Sequence, residues 1–117
     1  GLLIVTSNGR DPHLSFKFPK ELPQKKLVMK VTMASNSKGS GQVFWQEKGV
    51  SPTFFRDRSS GFDVQHDGKP NEYRVPFTAK KPILAVRIDP SNALGEITIF
   101  QIQLIDEDGN EVYRWKF

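Results

Sequence analysis

Turn-forming residues recur along this chain at short intervals: Ser7-Asn8-Gly9, the stretch from Asn36 to Gly41, Asp67-Gly68, Asp89-Pro90 and Asp108-Gly109-Asn110. Between them lie runs rich in Val, Ile, Phe, Thr and Tyr, residue types that suit a pleated, half-buried surface. No window shows helical periodicity. The pattern predicts strands over 2–6, 13–18, 26–35, 41–47, 61–66, 71–78, 83–89, 96–106 and 111–117, with the prolines in loops or at strand ends, where a missing N–H does little harm. Many short strands at such spacing make an all-β sandwich or barrel.

Alternation assigns faces to these strands, because successive side chains in a strand point to opposite sides. Leu27, Met29, Val31 and Met33 share one side of their strand and Lys30 and Thr32 the other. Val43 and Trp45 oppose Gln42, Phe44 and Gln46. Tyr73, Val75 and Phe77 oppose Glu72, Arg74 and Pro76. Leu84, Val86 and Ile88 oppose Ala85, Arg87 and Asp89. One apolar and one polar face per strand is the signature of a sandwich whose two outer surfaces meet water. Residues 96–106 depart from it: Phe100, Ile102 and Leu104 fall on one side, Ile97, Ile99 and Ile105 on the other, with Gln101 and Gln103 interrupting the second set. A β-bulge, or a strand covered on both sides over part of its length, accounts for this pattern.

The chain has 117 residues, enough for one domain spanning 1–117 with a core of its own. It has no cysteine, which excludes a disulfide framework and a thiolate metal site. No apolar run approaches the roughly 20 residues that cross a bilayer. The opening Gly1-Leu2-Leu3-Ile4-Val5 lacks a basic flank and reads as a strand, so the chain is expected to be a domain excised from a longer protein. The formal charge of +4 comes from 17 Lys and Arg against 13 Asp and Glu. These cations are scattered, and the pairs Lys25-Lys26 and Lys80-Lys81 sit beside Pro23 and Pro82. A nucleic-acid surface would gather them on one face, so no nucleic-acid partner is expected.

Several pieces then stand in order: Gly41-Gln42-Val43-Phe44-Trp45-Gln46, Asp67-Gly68 followed by Glu72-Tyr73-Arg74-Val75-Pro76, Val86-Arg87-Ile88-Asp89-Pro90, Gly95-Glu96-Ile97-Thr98-Ile99, and Ile102-Gln103-Leu104. From about Asp11 onward this order resembles small jelly-roll modules of the galactose-binding-like, carbohydrate-binding type, which occur beside sulfatases, glycoside hydrolases and glycosyltransferases in bacterial polysaccharide-processing proteins. The resemblance implies a jelly-roll β-sandwich of two antiparallel sheets, non-catalytic, appended to an enzyme and working outside the cell or in the periplasm. Its implied partners are a polysaccharide and the catalytic domain of the parent protein. Many relatives carry a final-strand Asp that helps hold a structural calcium. Here the comparable stretch is Ile99-Phe100-Gln101-Ile102, without a carboxylate, so no cofactor is expected and calcium is in doubt.

Sugar recognition needs aromatic faces for the apolar side of a pyranose and polar groups that bind hydroxyls in fixed directions. A single polar sheet face carrying Lys30, Gln46, Arg74, Arg87 and Gln101 would serve, and the two arginines also suit carboxylate or sulfate. The plainer alternative is a solvated face whose cations pair with Glu72, Asp89 and Glu47. Trp45 joins the candidate set. If it shares the buried side with Val43 it is a core anchor, which its alternation favours; turned outward by a twist it is a stacking platform. Trp115, with Tyr113 and Phe117 at the same alternation, is expected to close the sandwich. Phe54 and Phe55, near Arg56 and Arg58, either line a binding edge or plug the end of the fold.

Reactive chemistry finds little support. His13 and His66 have no metal-ligand spacing. The acidic run Asp106, Asp108, Gly109, Asn110 and Glu111 departs from the calcium loop and reads as a hairpin turn. Asp63, Glu72 and Asp89 are carboxylates, yet nothing pairs two of them across a cleft as a glycosidase requires. There is no Gly-x-Ser-x-Gly elbow and no phosphate loop. The expected function is therefore that of an accessory domain that targets its parent enzyme to polysaccharide, with a slight preference for anionic or sulfated polymer. The alternative is a structural domain that packs on a catalytic domain and binds no free ligand.

Overall fold

The computed structural model describes residues 2–7, 12–23 and 25–117. These form nine strands: β1 (Leu3–Ser7), β2 (Leu14–Leu22), β3 (Lys26–Ser35), β4 (Gly41–Glu47), β5 (Ser59–Phe62), β6 (Asn71–Thr78), β7 (Ile83–Asp89), β8 (Gly95–Asp106) and β9 (Glu111–Trp115), with one turn of 3-10 helix at Arg56–Arg58. The strands make two antiparallel sheets. The five-stranded sheet runs β6-β3-β8, with β1 and β9 both pairing on the far side of β8; the four-stranded sheet runs β2-β7-β4-β5. This is the β-sandwich that the alternation implies.

The inner faces supply the core. Leu27, Met29, Val31 and Met33 of β3, Val75 and Phe77 of β6, and Ile97, Ile99, Ile102 and Leu104 of β8 meet Val43 and Trp45 of β4 and Ile83, Val86 and Ile88 of β7. The two-sided apolar pattern of β8 has a bulge as its cause. Its pairing with β3 jumps from Thr32↔Gln101 to Met33↔Ile99, leaving Phe100 as the extra residue. Ile97 and Ile99 before the jump, and Ile102 and Leu104 after it, all point inward. A second bulge corrects the reading of β7. Glu47 pairs Ile83 and Gln46 pairs Ala85, so Leu84 is bypassed and Ile83 takes the inward place expected for Leu84.

Three strand boundaries also move. The strand expected at 61–66 lies at Ser59–Phe62, because its ladder with β4 runs from Gly41↔Phe62 to Phe44↔Ser59. The chain beyond it leaves the sheet, and the Gln65 N–H donates to the Tyr73 hydroxyl at 2.9 Å. Strand β2 continues past 18 through Pro19, where its register with β7 shifts between Lys17 and Leu22, so the missing proline N–H costs no ladder bond. Strand β9 stops at Trp115 rather than 117.

Aromatic rings seal both lateral edges. On one side Phe16 and Phe18 of β2 meet Tyr113 and Trp115 of β9, with centroids 5.3 to 5.6 Å apart, and Phe117 lies 6.4 Å from Phe16. That is the closing role expected of Trp115. On the other side Phe62 of β5 meets Tyr73 of β6 at 5.4 Å. The acidic run after β8 is the expected hairpin turn: the Asp106 carboxylate accepts the N–H groups of Asp108 and Asn110, and Gly109 takes φ +83°.

Candidate functional site

The structure separates the residues expected on one polar surface. Lys30, Arg74 and Gln101 lie on the outer face of the five-stranded sheet, and Gln46 and Arg87 on the outer face of the four-stranded sheet. The core lies between the two groups, so no single site uses all five. The cause is strand order. Strands β3, β6 and β8 are neighbours in one sheet and β4 and β7 in the other, an assignment that local alternation does not contain.

Trp45 points inward and is buried. Its indole stacks on Phe77 of the opposite sheet, with centroids 4.6 Å apart and planes inclined by 22°, and its Nε1–H donates to Glu47 Oε2 at 2.9 Å. It is a core anchor and offers no face to a ligand on either outer surface. Phe54 and Phe55 belong neither to the core nor to the residues packed against it, so they do not plug the fold. Phe55 is exposed and carries the Arg56 guanidinium 5.5 Å from its ring centroid.

On the five-stranded sheet, Arg74, Lys30, Gln103 and Arg114 form one row across β6, β3, β8 and β9. Two glutamates close it. Glu72 takes Lys30 Nζ and Arg74 Nε, each at 3.2 Å, and Glu111 takes Gln103 Nε2 and Arg114 Nε, each at 2.7 Å. The Lys30 hydrogen bond, then that of Arg74, holds the Glu72 carboxyl below its ordinary value; Gln103, then Arg114, does the same for Glu111.

The outer face of the four-stranded sheet is built differently. Ser15, Arg87, Phe44 and Ser59 form a row across β2, β7, β4 and β5, about 14 Å long at the usual strand spacing. Asp89 grips Arg87 with both oxygens, at 2.8 and 2.9 Å, and the guanidinium carbon lies 5.1 Å from the Phe44 ring centroid. Both ionic groups are largely covered, at 22% and 13% side-chain exposure, so this pair is fixed in direction as a loose surface pair is not. Gln42 Nε2 donates to Ser59 Oγ at 2.8 Å in the same row region. Beside it Lys17 and Gln46 flank Ala85, which they leave only 6% exposed. The result is a shallow strip with an aromatic ring in its floor and oriented guanidinium, carboxylate and amide groups around it.

Phe44, Gln42 and Asp89 were not among the residues expected to bind. A signal for Phe44 was present: it is the one aromatic that alternation puts on the polar side of its strand, between Gln42 and Gln46. His66 is occupied by the fold. Its Nε2 lies 2.7 Å from the Gly39 carbonyl, which can only accept, and its Nδ1 lies 2.7 Å from Ser35 Oγ. Among the described residues no three His, Cys, Asp or Glu side chains cluster as metal ligands.

No protein-family model matches the chain, and neither does any curated protein. Solved structures do. The ligand-free carbohydrate-binding module (CBM) of PbXyn10C superposes with a TM-score of 0.65 at 20% identity, over 95% of this chain and 70% of that one. The chain shares this fold. Ligand-free CBM1 of BiXyn10A gives 0.55 at 17% identity, over 89% and 72% of the two chains. A low-affinity xylan binding module, CBM86 from the gut symbiont Roseburia intestinalis, gives 0.51 at 15% identity, over 86% and 77%. All three are binding modules on this β-sandwich.

Proposed function

We propose that this chain is a non-catalytic carbohydrate-binding module whose site is the outer face of the four-stranded sheet. The observation that carries this reading is the Arg87 guanidinium held by Asp89 beside the Phe44 ring, with Gln42, Gln46, Ser15 and Ser59 around it. A pyranose presents an apolar ring face and a rim of hydroxyls, and this strip offers an aromatic floor and pre-oriented donors and acceptors. Holding the groups in place before binding lowers the ordering cost that a weak site must overcome. The fold likeness supports the same reading, and one of the similar modules makes xylan the first polymer to test. Such a domain does no chemistry. Tethered to an enzyme, it raises that enzyme's effective concentration at the polymer, and in this reading it works outside the cell or in the periplasm, beside a polysaccharide-degrading catalytic domain.

Affinity electrophoresis on neutral, uronic and sulfated polysaccharides, with and without calcium, tests the proposal. Retardation by a neutral xylan is expected, lost in Phe44→Ala and Arg87→Ala and kept in Arg74→Ala, whose side chain lies on the opposite face. Retardation by sulfated polymers alone would move the ligand to the anionic class that the +4 charge favours. No retardation by any polymer would sink the reading.

One observation favours a docking role alongside it. Leu2, Ile4 and Phe100 are exposed at one corner of the five-stranded sheet, where β1 pairs β8. An apolar corner of this kind suits contact with a neighbouring domain. Binding of glycan by the four-stranded sheet leaves that corner available.

A further inference from the structure

On the two sheet faces Glu72 pairs with Lys30 and Arg74, Glu111 with Arg114, and Asp89 with Arg87. A different situation holds at the end of the sandwich beyond β4. Glu47, Asp57, Arg58 and Lys80 line one pocket of about 220 Å³ together with Trp45 and Thr78. No ion pair joins any two of these four charged groups.

Each is positioned by the fold. Glu47 is buried, and its Oε2 accepts from Trp45 Nε1 at 2.9 Å and from the Lys80 backbone N–H at 3.1 Å, so the carboxylate is held while Oε1 takes no bond from a described residue. Arg58 Nη2 donates to the Pro52 carbonyl, which fixes the guanidinium, and its Nε–H is buried without an acceptor. A buried donor without a partner is a standing cost that an acceptor nearby would relieve. Asp57 and Lys80 are exposed and line the pocket's rim, Lys80 with its backbone N–H on Glu47.

We propose that this pocket is a second binding site that takes one neutral sugar unit. Its volume equals that of about seven liquid waters, room for one sugar ring. Its charges, two acidic and two basic, cancel, which disfavours a uronate or phosphate and suits a ring of hydroxyls that both donate and accept. The Trp45 indole supplies an apolar wall. The inference shares with the proposed function the idea that the chain binds glycans, but it concerns a different surface and stands or falls separately.

The test is amide chemical-shift titration of the whole chain with D-xylose, D-glucose, D-galactose, L-arabinose and D-glucuronate. Saturable shifts at Glu47, Asp57, Arg58 and Lys80 are expected with at least one neutral sugar. Asp57→Asn and Lys80→Met change exposed side chains, so the fold should persist, and each should weaken the binding about tenfold or more. Arg87→Ala should leave these shifts unchanged while abolishing retardation by polymer. The proposal is overturned if no neutral sugar gives saturable shifts up to about 0.1 M, if glucuronate alone does, or if the shifts survive both pocket variants. Sugar shifts without polymer retardation would overturn the sheet-face reading and leave the pocket standing.

Discussion

Trp45 and Gly41 show how much of this fold rests on single side chains of β4. Trp45 joins the two sheets by stacking on Phe77 and holds the buried Glu47 carboxylate through its indole N–H. Trp45→Ala should lose about 3–5 kcal/mol of stability in chemical denaturation, from the lost transfer term and the cavity. Trp45→Phe keeps a ring on Phe77 but leaves the carboxylate one donor short, and should lose about 1.5–3 kcal/mol. Gly41 matters through what it lacks. A Cβ there would stand 2.3 to 2.7 Å from atoms of the Phe62 ring, which seals the β5–β6 edge, whereas at Gly61 on the paired strand the nearest atom would be 3.7 Å away. Gly41→Ala should therefore destabilise by about 1–3 kcal/mol, and Gly61→Ala should change stability by less than about 0.5 kcal/mol. Equal effects of the two would contradict the packing described. The inward turn of Trp45 was legible in its alternation with Val43. The Phe62 contact was not, because it depends on the pairing of residues 21 positions apart in the chain.

Strands were legible where their pattern was self-contained. Strands β3, β4, β6 and β7 fall where alternation puts them, and the apolar residues on both sides of 96–106 are explained by the bulge that leaves Phe100 outside the ladder. Prediction failed where pairing overrides local sequence: Ser59 and Ser60 carry little β signal and become strand by pairing β4, and Leu84 is displaced by a bulge that only its neighbours impose. The cross-strand row on the five-stranded sheet carries its own pH dependence. Glu72 and Glu111 titrate below the ordinary glutamate value of 4.5 in the folded chain, through Lys30 and Arg74 and through Gln103 and Arg114. The folded state then holds fewer protons than the unfolded one, so this stabilisation is complete above that value and is lost as pH falls through the lower folded values. The melting temperature should stay level from pH 7 to about pH 5 on this account and fall below it. The double variant Glu72→Gln, Glu111→Gln should show a shallower acid decline. An unchanged slope would show that the row contributes nothing to acid sensitivity.

At the scale of the whole molecule, two outer faces of similar composition have different constructions. One closes its cations with exposed glutamates. The other holds a guanidinium over an aromatic ring by pairing it with a carboxylate, and that is the face proposed to bind glycan. The sequence offered Arg87 and Gln46, which share this face, but the aromatic it offered was Trp45, which lies in the core, and Phe44 was passed over. The membership of the site was not legible, because strand order decides which polar residues share a face, and it set Arg74 and Arg87 on opposite sides of the core. The most direct measurement is an amide chemical-shift titration with xylohexaose, a soluble fragment of the polymer proposed above. The account predicts shifts concentrated at Ser15, Lys17, Gln42, Phe44, Gln46, Ser59, Ala85 and Arg87. Shifts confined to Lys30, Thr32, Arg74, Gln101 and Gln103 on the other face, or none at all, would contradict it.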